Sequence, residues 1–230
     1  MPMSFPFIKK KGDRTNPANY RPVSLTSIPC KLLEHYSASH IINHLDQHHV
    51  LTNNQHGFGR GRSSETRLAG LIDDHAQILD RKSQNGLVIL DFIKAFDTVS
   101  HQWLMSKLEN IGIDNSFLSW IETFLTQRHQ KVLLGGATPS QASVTSGVPQ
   151  GTMLGPLLFL LYINDLSEAG SSQTRLFAID CIMYREIIKS LQDSIQLQKD
   201  IDACSLSVEK ISANVIQLYV YKVLHHASIL

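Results

Sequence analysis

The stretch from Leu87 to His101, LVILDFIKAFDTVSH, constrains this chain more than any other. Leu87 to Leu90 is an apolar run of a length that suits a buried strand. It delivers one carboxylate, Asp91, at the strand's C-terminal edge, and a second, Asp97, follows six positions later. An aspartate at the end of a buried strand is costly unless something positive is brought to it. A divalent cation is how metal-dependent phosphoryl-transfer sites meet that cost. The plainer reading of the same residues is a strand-ending Asp that caps the next helix. What separates the two is the company the segment keeps further along.

At 230 residues the chain suits one large domain or two lobes, with enough length for a substantial core. Hydrophobic residues make up 43% and charged residues 18%, which excludes a disordered chain. The net charge of +1 does not announce a nucleic-acid binder. Its distribution is more informative, because Lys9, Lys10, Lys11, Arg14, Arg21 and Lys31 cluster against Asp13 and Glu34. Such a cluster suits phosphates; a solvated basic arm is the other reading. Cys30, Cys181 and Cys204 are odd in number and widely spaced, so an intracellular, reducing setting (cytoplasm or nucleus) is expected. No signal peptide is visible in MPMSFPFIKKKGD, and Leu154 to Ile163 falls short of the roughly 20 residues of a membrane span. A soluble piece of a longer protein is the expectation.

In chain order, GDRTNPANYRP reads as an extended loop and Val23 to Ile28 as a short strand. Pro29 opens a helix with apolar positions at Leu32, Leu33, Tyr36, Ile41, Ile42 and Leu45. His40, His44 and His48 share one face of it and read as a solvated polar face rather than a metal site. NNQHGFGRGRSS is a glycine-punctuated loop without a Walker lysine pattern, and a helix from about Glu65 to Lys82 follows. Helices are expected around Gln102–Asn110 and Asn115–Thr126, with strands at Lys131–Leu134 and Ala142–Thr145 joined through GGATPS. SGVPQGTMLG is a tight loop feeding a helix from about Leu157 to Glu168. RLFAIDCIMY suggests a hairpin with Asp180 at its tip, followed by a helix with Leu191, Ile195, Leu197 and Ile201 and a strand-like tail from about Val215.

Three pieces converge: an Asp ending a strand, a Pro-Gln-Gly loop entering a helix, and an Asp at a hairpin tip. Here the chain resembles the reverse transcriptase domain of non-LTR (LINE-type) retrotransposons, from its N-terminal loop to about Ile201. NYRPVSLTSIPCKLLEH is similar to the first fingers motif of that family and QHGFGRGRSSET to the second. LVILDFIKAFDTVSH is similar to the palm motif with the first catalytic aspartate, and SGVPQGTMLGPLLFLLYINDL to the motif that supports nucleotide and template. LFAIDCIMY stands where the family carries a Phe-Ala-Asp-Asp hairpin.

The resemblance implies an α/β (α+β) right-hand polymerase palm, an antiparallel sheet backed by helices, with mostly helical fingers and no thumb. It implies fingers over 1–86 and palm over 87–230, with 101–128 supplying helices between them. It also implies two Mg²⁺ ions, about 3.5–4 Å apart in such sites, clamping the attacking primer hydroxyl and the leaving pyrophosphate. Asp91 and Asp180 would be the catalytic, metal-binding carboxylates. Phe96 falls at the gate that disfavours ribonucleotides, Gln150 and Gly151 would line the nucleotide pocket, and Arg21 would hold the triphosphate. Asp97 is expected to cap the following helix. The implied partners are an RNA template, a DNA primer and deoxynucleoside triphosphates, with no membrane, and a parent polyprotein with an endonuclease.

Three departures from the family pattern matter. Ile179 occupies the position of the first hairpin aspartate, and an isoleucine offers a metal no oxygen. Gly59 stands where relatives have a basic residue, and after Cys204 the segment resembling the primer-holding hairpin is shortened. The expectation is an RNA-directed DNA polymerase domain whose activity is weak or lost. The alternatives are a non-catalytic RNA-binding remnant and a pseudogene product without a stable fold.

Overall fold

The computed structural model describes residues 3–8, 20–57, 63–92, 94–132, 142–177, 180–188, 190–211 and 216–223. The run Lys9 to Arg14, the loop centre at 58–62 with Gly59, GGATPS and Ile179 lie outside the described residues. The chain divides into two compact units, Met1–Val50 with Phe96–Tyr162 and Leu51–Ala95 with Ile163–Leu230. These units cross the boundary between residues 86 and 87 that the sequence suggested, because each is assembled from separate stretches of chain.

Among the described residues, the first unit holds a four-stranded sheet and four helices. Strands β1 (Met3–Ile8), β2 (Tyr20–Leu25), β4 (His129–Val132) and β5 (Ala142–Ser143) run in the order β2-β1-β4-β5. Helices α1 (Ile28–Gln47), α3 (His101–Asn110), α4 (Asn115–Thr126) and α5 (Leu154–Tyr162) build its core. Leu154, Leu157, Leu158, Phe159, Leu160, Leu161 and Tyr162 are all buried, the pattern of a helix enclosed on every side. Helices α1 and α3 pack against it, with Ile41 and Leu45 of α1 and Leu104 and Leu108 of α3 buried, and α4 packs on α3 with Ile121 and Leu125 buried. The helix expected to run from Leu157 to Glu168 instead ends at Tyr162, and a 3-10 turn over Asn164–Glu168 follows in the second unit.

Two expectations about α1 are corrected. Leu32, Leu33 and Tyr36 are exposed, and Ala38, Ile41 and Leu45 bury the helix together with Glu34 and Ser37. The histidines are not a purely solvated face either. His44 Nε2 lies 2.8 Å from the Ile111 carbonyl, and the His40 ring meets Phe117 edge-on at 5.3 Å.

The second unit holds the sheet that matters for function. Strands β3 (Gln84–Phe92), β6 (Gln173–Phe177), β7 (Asp180–Ile187) and β8 (Ile216–Val223) run in the order β6-β7-β3-β8, every neighbouring pair antiparallel. Successive side chains of a strand alternate between faces. Val88, Leu90 and Phe92 of β3, with Cys181 and Met183 opposite, are buried. Helix α6 (Ser190–Ile211) covers this face, bringing Leu197, Ile201 and Cys204 to it. Leu191 and Ile195, expected on its packed stripe, are exposed. Helix α2 (Ser64–Asp80) crosses the other face, begun by a capping box between Ser63 and Thr66. Its Arg67 reaches Asp180, its His75 ring lies 5.4 Å from Tyr184, and Arg81 just beyond its end pairs with Glu186 at 2.8 Å. Helix and strand β7 therefore run side by side in one direction.

Candidate active site

Asp91 and Asp180 are register partners in β3 and β7. Directly opposite residues of an antiparallel pair share a face, with Cβ atoms about 4.5–5.5 Å apart. The face is the one α2 crosses, and Phe177 of β6, opposite Asp180, joins them there. Asp91 is half-buried; the Asp180 side chain is 57% exposed. Two like charges set opposite one another repel, so this edge of the sheet is an electrostatic demand for a cation. Arg67 partly answers it, with Nη1 3.9 Å from Asp180 Oδ2 and the guanidinium 5.9 Å from the Phe177 ring centre. The Arg67 side chain is only 12% exposed, and burial pulls its pKa below the ordinary arginine value.

The donor set suits a hard divalent cation. Mg²⁺ takes oxygen ligands and is held by one or two carboxylates plus substrate phosphates and water. The facing pair supplies two such carboxylates, and among the described residues no third His, Cys, Asp or Glu completes a larger cluster.

The remaining sequence candidates lie in the first unit. Phe96 sits in the turn after β3, its ring 5.3 Å from Phe159 of α5 and its carbonyl accepting the Val148 amide at 2.7 Å. Gln150 Nε2 donates to Asp97 Oδ1 at 3.1 Å, and the Gln150 carbonyl accepts the Ser24 amide at 2.9 Å. Gly151 has φ of +87°, and a Cβ there would stand 2.9 Å from Val23 and 3.0 Å from the Ser24 carbonyl. Only glycine lets this loop close on β2. Arg21 lies on β2 opposite Phe7. Gln150 lines a polar cleft of about 300 Å³ together with Ser24, Asp97, Arg128 and the 143–149 segment.

Asp97 does not cap α3, which corrects the sequence reading. Ser100 does so, accepting from the Trp103 amide, while Asp97 accepts from Gln150. The sequence reading also missed Arg67. Its signal was weak: one basic residue following the SSET cap, in a helix with no visible reason to meet the hairpin.

An antiparallel sheet with helices packed on it, in a mixed α/β chain, fits the palm of a right-handed polymerase. The chain belongs to the family described as reverse transcriptase (RNA-dependent DNA polymerase), whose model matches residues 8–214. It is 30% identical over 175 residues to a probable RNA-directed DNA polymerase from transposon X-element of Drosophila melanogaster, covering 74% of this chain and 19% of that protein. It is 31% identical over 163 residues to a retrovirus-related Pol polyprotein from a type-1 retrotransposable element R2 of Popillia japonica, covering 69% of this chain and 22% of that one. The chain thus spans about a fifth of the length of these curated relatives. In fold it is similar to telomerase from Candida albicans in complex with a fragment of telomeric RNA, with a TM-score of 0.61 at 10% identity over 100% of this chain and 42% of that one. A Candida tropicalis telomerase gives a TM-score of 0.62 at 10% identity over 96% and 41%. No helix among the described residues is long and apolar enough to cross a membrane.

Proposed function

We propose that this chain is the fingers and palm of an RNA-directed DNA polymerase from a non-LTR retrotransposon, built to extend a DNA primer on an RNA template. The observation that carries the proposal is the placement of Asp91 and Asp180 as direct register partners at one edge of the sheet. In this reading Asp91 and Asp180 are the catalytic carboxylates and hold Mg²⁺. The ion, when bound, supplies charge stabilisation for the phosphoryl group and its leaving pyrophosphate. Arg21 holds the triphosphate, Phe96 is the sugar gate, and Gln150 and Gly151 shape the nucleotide pocket. The Asp97–Gln150 hydrogen bond orients the glutamine amide within that pocket. Residues 1–86 serve as fingers and 87–230 as palm, with 101–128 bridging, within a parent polyprotein that carries an endonuclease. Ile179 weakens turnover, because one carboxylate is missing beside Asp180.

Primer extension on an RNA template with Mg²⁺ or Mn²⁺ tests this, comparing the chain as given with Ile179→Asp and Asp91→Asn. The expected result is little or no extension by the given chain, extension by Ile179→Asp, and none by Asp91→Asn. Robust extension by Asp91→Asn would overturn the assignment. A second reading, a non-catalytic RNA-binding remnant, is favoured by the cationic Arg67 beside Asp180. It requires template binding that weakens steeply with salt and no extension by any variant.

A further inference from the structure

In the first unit, the loop that carries Gln150 is laced to the segment that carries Phe96. The Gly147 amide donates to the Val99 carbonyl at 2.8 Å, and the Val148 amide to the Phe96 carbonyl at 2.7 Å. Ser146 Oγ donates to the Asp97 carbonyl at 3.0 Å, and Gln150 Nε2 to Asp97 Oδ1 at 3.1 Å. A shift of the loop therefore carries the Phe96 backbone with it. At the centre is Gly147, which is buried and has φ of +86°. Glycine adopts several backbone conformations at similar cost, so local sterics do not fix this one. Groups outside the loop must hold it.

Two side chains do so at a single atom. The Gly147 carbonyl oxygen lies 2.8 Å from His101 Nε2 and 3.1 Å from Arg128 Nη2. A carbonyl has two lone pairs and only accepts, so His101 carries a proton on Nε2 and both lone pairs are used. The donors come from different elements: His101 is the first residue of α3, and Arg128 stands between α4 and β4. Arg128 is half-buried and firmly seated. Its Nε donates to the Leu125 carbonyl at 3.2 Å, its guanidinium lies over the Phe124 ring at 5.8 Å, and its own carbonyl accepts the Val144 amide at 3.0 Å. It thus grips the loop at both Val144 and Gly147. Among the described residues no carboxylate forms an ion pair with it, and burial pulls its pKa below the ordinary arginine value. Partly desolvating a cation costs free energy. What it gives here is a charge-assisted hydrogen bond, about twice as strong as a neutral one.

We infer that His101 and Arg128 are the positioning residues of the nucleotide pocket. Through the Gly147 carbonyl they fix the loop that presents Gln150 and, with it, the backbone of Phe96. Neither has to touch the nucleotide. The inference rests on the polymerase reading for what the loop presents, and on the hydrogen bonds for what holds the loop.

Two measurements keep these apart. Amide hydrogen exchange on the chain as given, on Arg128→Met and on His101→Phe reads the hold itself, since each variant removes one donor and keeps the side chain's bulk. Each is expected to speed exchange of the Gly147 and Val148 amides about tenfold, the loss that follows from one hydrogen bond. The Leu158 and Leu160 amides of buried α5 are expected to keep their protection. Unaltered exchange at Gly147 and Val148 would overturn the inference. So would loss of protection in α5 in step with the loop in both variants, because the pair would then support the whole unit. The second measurement is primer extension on an RNA template by Ile179→Asp, alone and combined with Arg128→Met or Arg128→Lys. Arg128→Met is expected to raise KM for a deoxynucleoside triphosphate about tenfold, to narrow the preference for deoxyribonucleotides, and to lower kcat less. Arg128→Lys, which keeps a charged donor, is expected to recover part of the KM. A lower kcat with KM and sugar preference intact would mean that Arg128 only supports the fold, and would contradict the inference. No extension by Ile179→Asp would sink the polymerase reading and with it the nucleotide pocket, while the exchange result still decides whether His101 and Arg128 hold the loop.

Discussion

Arg67 is the residue that most changes the meaning of Asp180. Its guanidinium stands 3.9 Å from a carboxylate that already faces Asp91 across the sheet. The pair is long at 3.9 Å and its Asp180 side chain is 57% exposed; solvent-screened pairs contribute between nothing and about 1 kcal/mol, so its structural weight is small. Its effect on the proposed Mg²⁺ would be larger, because a fixed cation competes for the same oxygens. Arg67→Gln is expected to leave the denaturation midpoint almost unchanged while tightening Mn²⁺ binding severalfold. Unaltered Mn²⁺ affinity would show that Arg67 is a bystander. The residue scale is also where sequence reading was least reliable. The segment DTVS offers Asp97, Thr98 and Ser100 as helix caps, and side-chain chemistry alone cannot choose among them. Which residue is last before the helix is decided by where the 146–150 loop closes. Ser146 Oγ donates to the Asp97 carbonyl at 3.0 Å and the Gly147 amide to the Val99 carbonyl at 2.8 Å.

Elements were legible where periodicity or punctuation was strong. The strand ending in Asp91, the hairpin at Asp180 and the helices α2, α3 and α4 all stand within a few residues of expectation. The faces of α1 and α6 were not, because each carries two apolar stripes and the sequence does not say which one meets a core. Closure of the loop before α5 depends on Gly147, whose φ is +86° and whose added Cβ would stand 2.7 Å from the Phe96 carbonyl. Gly147→Ala is expected to cost roughly 1–3 kcal/mol for the backbone conformation alone, with further loss from the clash, read as a lower denaturant midpoint. In the other unit, α2, β6 and β7 are tied together by Asp74. Burial raises its pKa, but hydrogen bonds from Tyr184 and Arg175 more than offset this and leave it below the ordinary aspartate value. Asp200 is lowered likewise: burial opposes, and Ser172 and Gln196 outweigh it. Because the folded state releases these protons more readily than the unfolded state, their stabilisation is complete above the unfolded pKa of about 3.9. It is lost as pH falls through the depressed folded values. Urea midpoints should therefore drop steeply on acidification below about pH 4, and Asp74→Asn should flatten that drop.

At the scale of the whole molecule, five motifs in order pointed to a polymerase palm, and the family match over residues 8–214 and the telomerase-like fold agree with that reading. The division into units was not legible, because each unit joins stretches distant in sequence and a linear reading cannot see the return of the chain. The approach of Asp180 to Asp91 was foreseen from the family motifs, and its physical form is a strand register. The central claim is that these two carboxylates make one cation site, weakened by the residue at 179. Mn²⁺ titration followed by water-proton relaxation tests it on the chain as given, on Ile179→Asp, and on Ile179→Asp with Asp91→Asn. A missing direct ligand should cost more than the 10–100-fold typical of an outer-shell defect. Ile179→Asp is therefore expected to tighten Mn²⁺ by at least about 100-fold, with the gain erased by Asp91→Asn. If Ile179→Asp leaves Mn²⁺ affinity where it was, or the gain survives Asp91→Asn, the two aspartates do not share a metal.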